Sequence, residues 1–295
     1  MTSVPAFTDF VAPARRAPQV WRLLLGVLLC VVVFMLWVGG LFGAMAAALG
    51  LDAAMAWTTG MASPTRPTET LLLLSTFVGM ALGPMLAVRL LHRRRVRTLF
   101  GPGRRVLRDF AIAAGLVAVV YSISMWMWST SYDAEPNLAP ELWLTLLPFA
   151  VVGILVQTGA EEMLFRGYLM QQLAARFSWR LIYMILPAVL FGMLHFDPGA
   201  NGSNAWAIVG SAAFFGLISA DLTIATGSLG AAWGLHFANN IVAILILSTK
   251  GTITGLALYL TPYAASEVEI TGPMLLTDIV MVLVVWAALR LVLRG

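Results

Sequence analysis

The sequence predicts an all-α membrane protein, a polytopic transmembrane helical bundle of about eight spans. Hydrophobic residues make up 60% of its 295 residues and charged residues only 11%, whereas a soluble domain carries roughly 25% charged residues. Several apolar runs reach the roughly 20 residues that a helix needs to cross the hydrocarbon core of a bilayer. A transmembrane barrel would instead show short alternating strands. These observations exclude a soluble domain.

The eight predicted spans follow from the hydrophobic runs. The first, at about 20–49, is too long for one straight crossing, so we expect a tilt or an interfacial end. The fourth begins after Glu141 and runs past Arg166. The remaining runs lie at about 70–91, 110–128, 181–196, 205–220, 229–247 and 273–293. The segment 251–273, between the last two, is expected to be a partly amphipathic outer loop.

The charge distribution predicts the orientation of the spans. The run from Arg89 to Arg108 holds eight of the 18 basic residues, and we interpret it as a cytoplasmic loop that obeys the positive-inside rule rather than as a nucleic-acid site. Other basic residues fall on the same side and acidic residues on the other, with Arg66 and Lys250 as exceptions. The residues that carry this pattern are Arg15, Arg16, Arg22, Arg176, Arg180, Arg290, Arg294, Asp133, Glu135, Glu141, Glu267 and Glu269. Both termini are therefore predicted to be cytoplasmic, with the protein in a bacterial inner (plasma) membrane and its basic loop near anionic lipid.

Two further features narrow the class of protein. Cys30 is the only cysteine, so neither an intrachain disulfide nor a structural zinc cluster is expected. The first apolar run is longer than a signal-peptide core and follows a basic lead, so we interpret it as a retained span.

A small set of ionisable residues lies within the predicted spans. Such residues are costly in lipid and are functional candidates by default. They are Glu161, Glu162, Arg166, His195, Asp221, His236 and Asp278, joined by the amides Asn239 and Asn240. Asp221 and Asp278 fall near span ends, where we expect structural roles.

Spacing relates the remaining candidates to one another. Glu162 and Arg166 are four residues apart on one helix face and can pair. Glu161 is rotated by about 100° from Glu162, so it can face a different neighbour. His236 and Asn240 are also one turn apart. Phe191, one turn before His195, is expected to form an aromatic wall beside it.

Depth in the membrane gives a second test of the arrangement. The fourth and fifth spans should form a hairpin with a turn near Ser178, and Glu161 and His195 each lie seventeen residues from that turn. Antiparallel helices then place both side chains at the same level. His236 lies only eight residues after the next turn, near Ser228. It reaches the same level only if one helix tilts or breaks.

Two carboxylates and two imidazoles in a dry cavity suit the activation of water. A glutamate can act as general base, and a histidine with an asparagine can stabilise a developing oxyanion. Alternatively, Glu161, His195 and His236 could hold a zinc ion that activates the water. The H-E-x-x-H spacing of many zinc proteases is absent from the sequence, so the sequence does not require a metal.

Three motifs then show a family resemblance. They are E-E-x-x-x-R in "EEMLFR", F-x-x-x-H in "FGMLH" and H-x-x-x-N in "HFANN". In this order, on three spans of an eight-span protein, they resemble the CPBP family of intramembrane proteases, which includes the CAAX prenyl endopeptidase Rce1. The resemblance covers roughly residues 142–247.

The resemblance implies roles for the motif residues. Glu161 would be the catalytic glutamate with His195 beside it, and His236 with Asn240 would bind the oxyanion. Glu162, Arg166 and Phe191 would support them. It also implies a glutamate-dependent endopeptidase that needs no cofactor, with zinc dependence as the alternative. The expected organisation is a cytoplasmic lead at 1–19 and one transmembrane domain at 20–295, with its catalytic core at about 142–247.

The expected substrate is a membrane-embedded or lipidated protein or peptide, and a bacterial relative would not be expected to meet prenylated CAAX proteins. Three other interpretations remain open. Glu162 and Arg166 could be a structural ion pair with both histidines as packing residues. Glu/His chains also serve proton-coupled transporters, although the internal symmetry typical of transporters is missing from the sequence. A catalytically silent scaffold or bacteriocin-immunity-type protein of the same fold would share every motif.

Overall fold

The computed structural model describes residues 5–130, 133–264, 266–267 and 272–293, and in this part of the chain the protein is a helical bundle with one small sheet. Two π-helical segments, Met163–Met170 and Val242–Ile246, continue α6 and α11. The α-helices are α1 (Pro5–Val11), α2 (Val20–Leu49), α3 (Leu51–Ala62), α4 (Pro67–Leu90), α5 (Gly103–Ser129), α6 (Pro140–Glu162), α7 (Gln171–Arg176), α8 (Arg180–Met193), α9 (Pro198–Asn201), α10 (Ala205–Thr226), α11 (Gly230–Ile241) and α12 (Gly272–Val292).

The predicted polytopic helical fold is confirmed, and the protein is an integral membrane protein. Among the described residues, five helical stretches are long and apolar enough to cross a membrane, and three shorter apolar helices accompany them. The long stretches are Val20–Leu49, Pro67–Leu90, Gly103–Ser129, Pro140–Arg176 and Pro198–Thr226, and the shorter ones are Arg180–Met193, Gly230–Ile246 and Ile279–Val292. Each of the eight predicted spans corresponds to one of these stretches.

The first predicted span coincides with α2 and is followed at once by a separate helix. Gly50 adopts a φ of 90°, which favours glycine and ends α2. α3 then begins at Leu51. Because α2 has 30 residues, it is about 45 Å long, which exceeds the thickness of the hydrocarbon core.

The longest continuous helical stretch, 140–176, carries the first motif. It begins with Pro140 in its first turn, where the missing N–H costs nothing, and Glu141 lies near the positive end of the helix dipole. It ends at Arg176, and α8 starts at Arg180. The predicted turn near Ser178 is therefore confirmed.

One segment of the predicted outer loop, residues 259–264, forms a strand of a three-stranded sheet. The strands are β1 (Glu135–Pro136), β2 (Leu247–Lys250) and β3 (Tyr259–Ala264), in the order β1-β3-β2. β3 pairs antiparallel with β1 and parallel with β2, and the Lys250 ammonium lies 2.6 Å from the Glu135 carboxylate. The pairing of β1 with β3 joins segments more than 100 residues apart, so local sequence patterns did not indicate it.

The N-terminal helix α1 packs on the arginine-rich face of the bundle. Phe7, Phe10 and Val11 are all buried, and the Gln171 side chain donates a 2.7 Å hydrogen bond to the carbonyl of Phe10. The predicted lead at 1–19 thus contributes apolar side chains to the core from α1.

The two aspartates expected to be structural have different outcomes. Asp221 accepts hydrogen bonds from Arg180 (3.1 Å) and from the Trp286 indole (2.8 Å), so it ties α10 to α8 and α12. The side chain of Asp278 lies outside the described residues, as do Glu269 and Arg294, which contributed to the predicted orientation.

Candidate active site

The three motifs occupy three neighbouring helical elements. Glu161 and Glu162 form the end of α6, and Arg166 lies in the π-helical segment that follows. His195 lies just beyond the end of α8, and His236 and Asn240 lie on α11. π-Helical segments are rare and occur frequently at functional sites. The structure brings the first and third motifs into direct contact.

Glu162 and Arg166 form a buried ion pair. Arg166 Nη1 donates a 2.9 Å hydrogen bond to Glu162 Oε1, and their relative exposures are 1% and 0%. Arg166 Nη2 also donates to the carbonyl of Gly216 on α10, at 3.3 Å. The guanidinium carbon lies 4.8 Å from the ring centroid of Phe191. The pair expected from the four-residue spacing is therefore present, and it fixes α6 against α10.

His236 lies between the two adjacent glutamates. Its Nδ1 is 3.0 Å from Glu162 Oε1, and its Nε2 is 3.3 Å from Glu161 Oε2. The Nδ1 contact is a hydrogen bond, whereas the Nε2 contact is a close approach of the ring to the Glu161 carboxylate. Glu162 Oε2 is buried without a hydrogen-bond partner among the described residues. Glu161, Glu162 and His236 thus form one contiguous polar unit.

A chain of side-chain amides holds Glu161 from the other side. Gln157 Nε2 donates to Glu161 Oε2 at 2.9 Å, and Asn240 Nδ2 donates to Gln157 Oε1 at 2.8 Å. Asn239 Nδ2 donates to Asn240 Oδ1 at 3.1 Å, and the Tyr121 hydroxyl donates to Asn239 Oδ1 at 2.9 Å. In all four bonds the donor lies on the side of Tyr121 and the acceptor on the side of Glu161. We call Tyr121, Asn239, Asn240 and Gln157 the amide chain.

Two members of this chain, Gln157 and Tyr121, were not predicted as site residues from the sequence. Gln157 is four residues before Glu161 on the same helix, so a search for polar partners at this spacing could have found it. Asn239 appeared there only as a buried amide. Tyr121 lies on α5, outside the three motifs, and its contact spans 118 residues. No local signal could have identified Tyr121.

His195 lies apart from the glutamates. Its Nδ1 donates to the carbonyl of Phe191 at 2.9 Å, and the two rings are 4.8 Å apart between centroids. Because Nδ1 carries the proton in this bond, Nε2 is left as an acceptor. Phe191 also contacts His236, with ring centroids 5.8 Å apart, so the expected aromatic wall is present. Among the contacts of the described residues, none joins His195 directly to Glu161.

A cavity of about 680 Å³ borders these groups. Phe191, His195, His236, Asn239 and Asn240 line one part of it. Other walls come from α5, α10, α12 and the sheet. Glu161 is not one of the lining residues and lies behind His236, which it contacts. A volume of this size is typical of ligand-binding cavities in proteins.

The depth mismatch predicted for His236 has a structural explanation. The turn between α10 and α11 does not reach the surface of the molecule, because Ser228 and Leu229 are both 0% exposed. The N–H of Leu229 donates to the carbonyl of Phe100 at 3.0 Å, and a Cβ on Gly227 would lie 2.2 Å from the carbonyl oxygen of Ala6. α11 therefore starts inside the protein, beneath α1, and eight residues suffice to bring His236 to Glu161.

The donor set considered for zinc is not assembled as a metal site. Within the described ranges, no three His, Cys, Asp or Glu side chains are grouped to hold a metal ion. Glu161 Oε2 and His236 Nε2 lie 3.3 Å apart, but His195 is not grouped with them. The residues present, as they are arranged, therefore do not fit the proposed zinc ligation.

Comparison with known proteins found two similarities, one to a family model and one to a bacterial protein. Residues 141–242 match the family model described as Type II CAAX prenyl endopeptidase Rce1-like. The uncharacterized protein YyaK of Bacillus subtilis (strain 168) is 32% identical over 180 residues, a match that covers 59% of this chain and 59% of YyaK. No solved structure matches the chain. The matched region holds all three motifs, so the similarity to the Rce1-like family model lies in the part of the chain that forms the candidate active site.

Proposed function

We propose that this protein is an intramembrane endopeptidase that hydrolyses a peptide bond with water activated by Glu161. The observation that carries the proposal is the position of the Glu161 carboxylate, fixed between Gln157 and His236 beside a cavity in the bundle. The match of residues 141–242 to a family model described as Type II CAAX prenyl endopeptidase Rce1-like supports a protease.

In the proposed reaction, Glu161 accepts a proton from a water molecule that enters from the adjoining cavity. The water oxygen then attacks the carbonyl carbon of the substrate, and the proton passes to the departing amine as the C–N bond breaks. A positioned carboxylate suits both proton transfers. Gln157 and His236 restrict its rotation, so its free oxygen is presented in one direction.

The developing oxyanion needs hydrogen-bond donors. Asn240 has one amide hydrogen bonded to Gln157, and its second amide hydrogen remains to donate. His236 lines the same cavity as Asn240. His195 presents Nε2 as an acceptor, which suits it to hold the attacking water by accepting one of its hydrogens. Glu162 and Arg166 support the unit by holding His236 in place.

We assign the hydrolysis to the glutamate rather than to zinc on the basis of the donor set. His195 is not grouped with Glu161 and His236, so the described residues supply no set of three ligands for a metal ion. Purified protein treated with a strong chelator should keep its activity. Activity lost with the chelator and regained with added zinc would replace this assignment by the metal-dependent one.

The proposed substrate class is a membrane-embedded or lipidated protein or peptide. The chain spans 59% of the length of its relative YyaK, and the Rce1-like match covers 102 residues. The shared region contains the motifs, and the apolar helices around it restrict access to molecules that reach the membrane.

The decisive experiment maps new protein termini in membrane fractions of cells that carry the wild-type protein or Glu161→Gln at equal expression. Glu141→Gln is the matched control, because it makes the same change on an exposed residue at the other end of α6. Termini present with wild type and Glu141→Gln, but absent with Glu161→Gln, would support hydrolysis and name the substrate. Identical termini in all three lines would favour the catalytically silent scaffold.

A further inference from the structure

The cavity beside Glu161 is accessible from one face of the molecule. Several of its lining side chains are partly exposed, including His195 and Asn240 near the glutamates and Trp128, Thr249 and Tyr263 near the sheet. β2 and β3 contribute alternate residues to its wall, since Leu247, Thr249, Thr261 and Tyr263 line it. Alternate residues point to one face of a sheet. One face of the sheet therefore borders the mouth of the cavity.

The opposite face of the site is closed. Along α6 and its continuation, exposure is 7% at Glu161, 0% at Glu162 and 1% at Arg166, and Tyr168 and Met170 beyond them are both fully buried. Farther in this direction, α1 and the buried turn at 227–229 cover the helix ends. A second cavity of about 700 Å³ lies on this face, but its lining includes none of the residues of the candidate active site.

The closed face is also the arginine-rich face. The loop between α4 and α5 holds Arg93, Arg94, Arg95 and Arg97, and it lies at the same end of the bundle as α1, because Phe10 and Thr98 both accept hydrogen bonds from Gln171. The positive-inside rule assigns such a face to the cytoplasm. The sheet, with the ends of α5 and α6 beside it, then lies on the other side of the membrane.

The walls of the cavity carry little charge. Apart from His195 and His236, its described lining contains no ionisable acid or base other than the phenols of Tyr121 and Tyr263. Aromatic and aliphatic side chains, such as Trp128, Phe191 and Phe215, alternate with the hydroxyls of Ser124 and Thr249. A charged side chain placed there would lose hydration without gaining a partner.

From these observations we infer that the substrate reaches Glu161 from the sheet face, outside the cytoplasm, as an uncharged segment of polypeptide. The description of the segment as a substrate rests on the proposed function. The direction of access to the cavity does not depend on that function. His236 lies about 15 Å below β2, since Ile246, just before β2, is ten residues farther along the same helical stretch. The segment must therefore be extended or locally unwound to reach it.

Access is measured by cysteine labelling in cells that make the full chain. Cys30→Ala supplies the background, because the native cysteine is buried. Thr249→Cys and Ser124→Cys test the mouth and the wall of the cavity, and Leu107→Cys is the control on the arginine-rich face, where Leu107 is 74% exposed. A membrane-impermeant thiol reagent is applied to intact spheroplasts and to inside-out vesicles.

We expect Thr249→Cys and Ser124→Cys to be labelled in spheroplasts, and Leu107→Cys only in inside-out vesicles. Labelling of both cavity cysteines only in inside-out vesicles would overturn the inference. Labelling of Thr249→Cys alone in spheroplasts would also overturn it, because the cavity would then be closed below the sheet. None of these outcomes depends on hydrolysis, so a failure here is distinct from a failure of the protease assignment.

The chemistry of the segment is tested by protection. Purified Cys30→Ala/Ser124→Cys protein that also carries Glu161→Gln is labelled in detergent with a capped tetra-leucine peptide, or with the same peptide carrying two lysines or two aspartates. Loss of labelling with the neutral peptide alone is expected. Equal protection by a charged peptide would contradict the inferred substrate class.

Discussion

Gln157 on α6 and Asn240 on α11 are joined by a 2.8 Å hydrogen bond between their side-chain amides. This bond links the helix of the first motif to the helix of the third, and it continues directly to Glu161 through the other end of Gln157. The orientation of the proposed general base is therefore set by a residue that belongs to none of the three motifs.

Replacing Gln157 with leucine should impair catalysis while leaving the fold intact. A hydrogen bond to a charged group contributes about 1.5–3 kcal/mol, which corresponds to a loss of roughly tenfold to a hundredfold in rate. Without the N–H of Gln157, the Glu161 carboxylate is no longer held from this side, so kcat should fall while the melting temperature changes little. Steady-state kinetics and thermal unfolding in detergent would measure both effects. A loss of activity that is matched by a loss of folded protein would indicate a purely structural role.

The buried ion pair should show strong coupling between its two members. Arg166→Met leaves Glu162 buried without its counter-charge, and breaking a buried pair in this way costs about 3–5 kcal/mol of stability. The double variant Arg166→Met/Glu162→Leu removes both charges and should be more stable than Arg166→Met alone. Thermal unfolding in detergent compares the variants. Additive losses in the double variant would mean that the two side chains do not interact.

Gly227 should be intolerant of a side chain because of α1. Its φ is 64°, and an added Cβ would lie 2.2 Å from the carbonyl oxygen of Ala6. The left-handed conformation alone costs an alanine about 1–2 kcal/mol, and the contact requires α1 to move. We expect Gly227→Ala to lower the melting temperature and expose the first twenty residues to limited proteolysis. Gly103→Ala, where nothing lies within 4 Å of the added Cβ, is the control and should leave both measurements unchanged.

His92 should make the protein less stable in mild acid. Burial lowers its pKa to about 4, and the positive charges of Arg94 and Arg22 act in the same direction, against the hydrogen bond to Ala17. The unfolded chain binds a proton at this residue near pH 6.5. Below that pH the unfolded state therefore binds more protons than the folded state, and stability falls as the pH drops from about 6.5 towards 4.

The measurement for His92 is the melting temperature as a function of pH, for the wild type and for His92→Gln. The neutral ring donates from Nδ1 to the carbonyl of Ala17 and accepts at Nε2 from the Tyr168 hydroxyl. The variant has no proton to bind in this range, so its melting temperature should fall less steeply with acid. Parallel curves would show that His92 does not contribute to acid sensitivity.

Local sequence patterns were sufficient to predict the class of fold, the positions of the spans and the pairing of Glu162 with Arg166. These features are local, because a hydrophobic run and a four-residue spacing on one helix depend only on neighbouring residues. The first span was predicted with the bounds of α2, since its apolar run is bounded by Gln19 and Gly50. The three motifs likewise indicated the resemblance to the Rce1-like family model.

How the three motifs meet could not be predicted from local patterns and depends on the packing of the helices. The position of His236 between Glu161 and Glu162 depends on a turn at Ser228 that is buried beneath α1, and no spacing along the chain reveals that a turn is covered. Tyr121 on α5 donates a hydrogen bond to Asn239 on α11, and β1 pairs with β3, which lies more than 100 residues away in the sequence. These contacts follow from how helices pack around one another, because side chains distant in sequence become neighbours only when the bundle has formed.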